Sequence, residues 1–128
     1  MTSPADLTAA AHDFLAERHL GTLSTTRGDG TVHVCAVGFT WDADPALVRV
    51  ITNDGSQKVR NVEHTGRAAV AQVDGGRWLS LEGPARIARD PEAVAEAVTR
   101  YTERYQEPRP NPDRVAIEIT VERVLGRA

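Results

Sequence analysis

The stretch "TNDGSQKVRNV", residues 52–62, places Ser56, Gln57, Lys58, Arg60 and Asn61 within six positions behind a glycine. These side chains are hydrogen-bond donors or carry positive charge, and together they suit an anion such as a phosphate. Ser56 is a good N-cap, so the spacing predicts a short helix from Gln57 to about Glu63. The first turn of such a helix exposes unpaired N–H groups and the positive end of its dipole. Lys58 and Arg60 add full charges nearby, and Ser56, Gln57 and Asn61 add neutral donors. The competing reading is a surface helix with a solvated basic face. No Walker-type glycine loop is present and no GxGxxG follows a strand, so neither P-loop nor Rossmann binding is supported.

Other reactive side chains are sparse. Ser24, Ser56 and Ser80 lack the G-x-S-x-G setting of a nucleophile elbow. Cys35 lies among apolar neighbours, which favours a small packing residue over a nucleophile. His33, two residues earlier, lines a pocket or points to solvent. Trp78 follows the turn "DGG" and reads either as core packing or as a stacking wall for a flat ring. Tyr101 and Tyr105 fit a packed helix stripe. His12, His19, His33 and His64 have no zinc-like spacing, so no metal is expected. Neither a hydrolytic triad nor a carboxylate pair is evident. An enzyme with so few acids and bases must borrow its chemistry from a cofactor.

These residues need a scaffold, and 128 residues provide one domain, 1–128, able to bury a core without staples. Hydrophobic residues make up 41% and charged residues 26%, with a formal charge of −3. A general nucleic-acid binder would need a basic surface. The single cysteine rules out a disulfide within the chain and fits a reducing cytoplasm. The N-terminal segment has no long apolar run, so neither a signal peptide nor a membrane span is expected.

Helical spacing of Leu7, Ala11, Phe14, Leu15 and Arg18 predicts a helix over 5–19, stopped by Gly21. β-type runs follow at 21–26, 31–41, 46–52, 67–73 and 77–87, separated by Gly- and Asp-rich turns. Asp90 and Pro91 cap a second long helix over 90–105, with Val94, Ala97, Val98, Tyr101 and Tyr105 as its stripe and Glu96 paired to Arg100. A last strand over 114–124 alternates Val115, Ile117, Ile119 and Val121 with polar residues. The expected fold is mainly β (α+β): a six-stranded barrel with two longer helices and one short one.

In order and spacing, "FLAERHLGTLSTTR", "HVCAVGFTWD", "RVITNDGSQKVRN", "QVDGGRWLSLEG" and "RYQEPRPNPDRVAIEITVERVLG" resemble the split β-barrel family of flavin and deazaflavin oxidoreductases, related to pyridoxamine 5′-phosphate oxidase. The resemblance covers about Asp13 to Gly126 and is closest to an actinobacterial branch that uses coenzyme F420. It implies an FMN-binding type of split barrel and a homodimer with active sites at the interface. It implies coenzyme F420, with FMN as the alternative, and hydride transfer to a conjugated substrate, biliverdin to bilirubin. Ser56, Gln57, Lys58 and Asn61 inherit a phosphate-holding role, as does Arg60. His33, Val34, Cys35, Ala36 and Val37 match the strand along the ring system. Arg77, Trp78, Leu79 and Ser80 match a segment brought near the ring from the partner subunit. Arg77, another nearby group or solvent would supply the proton. The remaining alternative is a protein that binds cofactor or tetrapyrrole without turnover.

Overall fold

Period-two burial builds most of the sheet. In the computed structural model, which describes residues 2–128, β1 (Gly21–Thr26) buries Gly21, Leu23 and Thr25 and turns Thr22, Ser24 and Thr26 the other way. A tight turn at 27–30 returns the chain as β2 (Val32–Val37), with Gly21 opposite Val37 and Thr26 opposite Val32. Asp29 holds that turn by accepting from the N–H and hydroxyl of Thr31. The remaining strands are β3 (Thr40–Asp42), β4 (Leu47–Asn53), β5 (Arg67–Asp74), β6 (Arg77–Ala88), β7 (Arg114–Thr120) and β8 (Arg123–Arg127). The order is β2-β1-β5-β6-β7-β4-β3, all antiparallel, with β8 added on β6. Twelve-residue β6 pairs with β5 and β8 through its first part and with β7 through its last, so it bridges the two halves of the barrel. Among the described residues no ladder joins β2 to β3 or β4, and the barrel stays split there.

The described residues form eight strands, where six were expected, because two predicted strands each change partner midway. The 31–41 run breaks at Gly38–Phe39, where Phe39 turns wholly into the core. An added Cβ on Gly38 would lie 2.9 Å from Tyr101 Cε2 and 3.1 Å from Tyr105 Cε2, so the backbone itself packs against the tyrosines. The 114–124 run breaks at Val121–Glu122. There the Val121 N–H donates to Ala46 O and the Glu122 N–H to Glu82 O, moving the chain from β4 to β6.

The first helix is also shorter than predicted. A 3-10 turn (Pro4–Asp6) precedes α1 (Ala9–Ala16), because Thr8 caps the helix by accepting from the Ala11 N–H at 3.1 Å. It ends at Ala16 since Glu17 is extended and its carbonyl accepts from Arg104 Nε. Arg18 is therefore exposed rather than on the apolar stripe.

The short helix α2 (Gln57–Thr65) buries Val59, Asn61 and Val62 and packs on β1 and β6. Gly66, at φ 70°, closes it with a bond to Val62 O. Helix α3 (Pro91–Arg104) is capped by Asp90, which accepts from Ala93 N–H. Its predicted stripe is mostly half-buried; only Ala97 is fully buried, in a small cluster with Ala88 and Ala116. The main core contains Phe14, Leu23, Phe39, Val48, Leu81, Ile117 and Ile119. Among the described residues no helix is long and apolar enough to cross a membrane.

The bend in β6 depends on Gly83, where an added Cβ would fall 2.0 Å from Thr120 O. Gly83→Ala must push two backbones apart. It is expected to cost about 1–3 kcal/mol, as overpacking does. Urea unfolding should show a lower midpoint at unchanged slope.

Candidate functional site

The split between β2 and β4 holds a pocket of about 320 Å³. Its walls are the end of β2 (Ala36, Val37, Gly38), the end of β4 (Ile51, Thr52, Asn53) and Tyr101 of α3. Lys58, in the first turn of α2, and Arg114, at the start of β7, bring two positive charges; among the described residues no carboxylate lines the pocket. Register puts Arg114 opposite Asn53, and Asn111 Nδ2 donates to Asn53 Oδ1. The lysine makes no ion pair or hydrogen bond among the described residues. A cationic, carboxylate-free lining at a helix start suits a phosphate-bearing ligand.

The other residues of the predicted cradle divide by role. Asn61 is 2% exposed. Its Nδ2 donates to Thr25 Oγ1 at 3.0 Å, and its Oδ1 accepts from Gln57 Nε2 at 2.7 Å. Gln57 Oε1 accepts from Arg60 Nη2 at 2.6 Å, and Arg60 Nη1 donates to Gly55 O. Gln57, Arg60 and Asn61 thus brace α2 and its entry loop. Ser56 has cap backbone geometry, yet its side chain makes no capping bond and its Oγ is buried without a partner. An orphaned buried hydroxyl at a helix start is a polar group awaiting a partner.

On β2, residues His33, Cys35 and Val37 turn inward and Val34 and Ala36 outward. His33 stands opposite Thr25, and its Nδ1 is buried with no partner. Cys35 is half-buried against the main core, which is the packing role expected of it. Being an edge strand, β2 leaves one row of backbone groups facing the split.

None of Arg77, Trp78, Leu79 and Ser80 lines the Lys58 pocket of its own chain. Leu79 is 3% exposed and belongs to the core. Trp78 is not core: it is 39% exposed on the outer sheet face, with Ser80 on the same side. Arg77 donates to both Glu17 carboxylate oxygens, at 2.8 and 2.9 Å, and to Asp74 at 2.6 Å, and covers the Phe14 ring. The bond from Arg77, then that from His19, pulls the Glu17 carboxyl down to about 2. In return Glu17 and Asp74 push the Arg77 pKa further up. Ligand atoms of Glu17, His19 and Asp74 lie within 4.8 Å of one another, and the two carboxylates hold the Arg77 guanidinium while His19 sits beside them.

Thr52, Asn53, Tyr101, Asn111 and Arg114 line the pocket without having been singled out as site residues in the sequence. The loop "RPNPD" and the arginine after it held the available signal: a proline-locked asparagine and a cation beside a strand start.

The fold and this basic split define a family. The sequence profile described as pyridoxamine 5′-phosphate oxidase matches residues 7–128, and the chain belongs to that family. Among its relatives is the F420H(2)-dependent biliverdin reductase of Mycobacterium tuberculosis, 56% identical over 115 residues, covering 90% of this chain and 84% of that protein. A solved structure of a conserved hypothetical protein from Mycobacterium tuberculosis superposes with a TM-score of 0.82 at 27% identity, covering 99% of this chain and 89% of that one. A solved F420 reductase gives a TM-score of 0.76 at 27% identity, covering 93% and 98% respectively.

Asn61→Ala should leave Thr25 and Gln57 without their buried partner. The expected loss is about 1–3 kcal/mol of stability. Chemical denaturation measures that loss, and hydrogen exchange of the α2 amides should rise more than that of β7.

Proposed function

We propose that the protein is a coenzyme F420-dependent reductase that converts biliverdin to bilirubin. The observation that carries this reading is the Lys58–Arg114 pocket set in the split beside the free edge of β2. The 56% identity to an F420H(2)-dependent biliverdin reductase supports the cofactor and the substrate. When bound, the reduced deazaflavin supplies a hydride for the central methine bridge of the tetrapyrrole. Lys58 and Arg114 hold the cofactor phosphate, with Ser56 Oγ and the first amides of α2 beside them. Gln57, Arg60 and Asn61 act by keeping Lys58 in place. The edge of β2 over 33–37 lies along the ring system, with the unpartnered His33 Nδ1 within that strand. The protein's contribution is orientation and exclusion of water. We take solvent as the proton source, because two carboxylates hold Arg77 more firmly protonated than usual.

The same reading includes a homodimer in the cytoplasm. The large exposed hydrophobics are Leu20, Val32, Val34, Val73, Trp78 and Leu125. Register puts the five on strands on one outer face: Val34 opposite Ser24, Val73 opposite Trp78, and Leu125 opposite Ser80. A flat apolar face of this kind is suited to meeting its own copy about a two-fold axis. Trp78 and Ser80 on that face would then approach the partner's split.

Lys58→Ala is expected to weaken F420 binding about 10- to 150-fold, the worth of a charge-assisted hydrogen bond of roughly 1.5–3 kcal/mol. Equilibrium dialysis at low and high salt tests this, and the difference should shrink as salt rises. Unchanged affinity at low salt removes Lys58 from the cradle. A purified protein that is yellow with tightly bound flavin would favour FMN instead. Steady-state oxidation of reduced F420 by biliverdin tests the reaction, and binding of both without turnover would leave a carrier.

Val73→Asp places a charge at the centre of the apolar face. Light scattering should report a dimer for the parent and a monomer for the variant, with F420 turnover lost alongside. A monomeric parent at working concentration overturns the shared-site reading.

A further inference from the structure

A second pocket of about 340 Å³ adjoins the first, and Tyr101 is a wall of both. Its other lining residues are Arg18, Leu20, Tyr105 and Gln106. Two hydrogen bonds from the end of α3 clamp the segment that carries Arg18 and Leu20: Arg104 Nε to Glu17 O at 2.9 Å and Tyr105 Oη to His19 O at 2.6 Å. Tyr105 Oη also accepts from the Phe39 N–H at 3.2 Å. Tyr101 packs against Tyr105 with centroids 4.9 Å apart and the rings tilted by 39°, and both rings rest on the bare backbone of Gly38. The shelf is therefore held from three sides. From it project two side chains with nothing to hold: Leu20, 65% exposed, and Arg18, which makes no hydrogen bond or ion pair among the described residues. The nearby acid Glu17 is committed to Arg77 and His19.

We propose that this second pocket is a substrate subsite for a flat conjugated molecule bearing a carboxylate side chain. Tyr101 and Leu20 contact the conjugated body. Arg18 pairs with the carboxylate, for which a planar guanidinium offers two parallel donors. Gln106 closes the polar rim. The proposal rests on the reading that the adjoining pocket holds the hydride donor, since the shared Tyr101 places the two ligands side by side. A linear tetrapyrrole with propionate side chains has the required chemistry. Arg18 is then a specificity-determining residue: it grips a remote group equally in ground and transition states, so it sets KM and leaves kcat alone.

The test compares biliverdin with its dimethyl ester on the full-length parent, Arg18→Gln and Arg18→Lys, with F420. In steady state, Arg18→Gln is expected to raise KM for biliverdin roughly three- to tenfold at unchanged kcat, the range between an exposed pair and a charge-assisted bond. Its KM for the ester should match the parent's, and Arg18→Lys should recover part of the loss. Visible-absorbance titration of each tetrapyrrole into protein loaded with oxidised F420 reads the same preference without turnover. If the parent does not turn over biliverdin, the activity reading fails, and the titration still decides the subsite. Equal acid-to-ester ratios for the parent and Arg18→Gln in the titration overturn the proposal. So does a loss of F420 affinity in Arg18→Gln, which would make Arg18 a cofactor residue.

Discussion

Everything in this molecule follows from a ladder that is not made. β2 and β4 face each other across the split without pairing, and an unpaired edge in a small barrel must be covered or used. Helix α2 and the end of α3 stand on either side of the opening. Val59 and Val62 pack α2 against the sheet, and a polar contact fixes its placement. Asn61 reaches through the buried layer to Thr25 on β1 and takes Gln57 with its other end. A buried amide in such a position is costly unless both ends are bonded, and that makes the placement specific. Lys58, one turn earlier, inherits its position from that bond.

A second consequence is how charge is distributed. Arg104 lies over the Phe39 and Tyr105 rings and donates to Phe39 O and Gln72 Oε1. Burial pushes its pKa down, yet it remains a cation tied to neutral acceptors. Burial likewise pushes the Tyr105 hydroxyl up, so it stays protonated as a donor to His19 O. Asp42 meanwhile accepts from both Arg49 and Arg100, tying β3 and β4 to α3. The cations beside the split thus fall into two groups: those consumed by structure, including the pocket-lining Arg114, which donates to Arg109 O, and Lys58 and Arg18, which make no hydrogen bond or ion pair among the described residues.

Much of this was legible in the sequence, and the limits are physical. Alternation along Val115 to Val121 and the Asp90–Pro91 start of α3 are local signals, and both elements formed where those signals lie. Strand number was not local. Whether 31–41 is one strand or two depends on tyrosines some 65 residues away pressing on Gly38. The donor-rich run 56–61 was rightly read as a helix start, although the Ser56 side chain makes no capping bond, and its residue types could not say which donors face the opening and which bond one another. Arg114 escaped notice because it becomes a pocket residue only through its register with Asn53. The Arg77–Glu17 pair spans 60 positions, so no spacing rule would find it.

Gly38 shows what this packing means for descent. With Tyr101 and Tyr105 in place, a Cβ at position 38 would crowd both ring edges, so a side chain there must displace the rings. Truncating either tyrosine first would open that space, but at the cost of the shelf or of the clamp on His19. The three positions therefore form an epistatic set: the order in which they mutate decides whether an intermediate survives. A lineage that keeps the tyrosines is confined to glycine there, whereas one that has lost them is free to wander. Sequences on either side of that divide should differ at all three positions together.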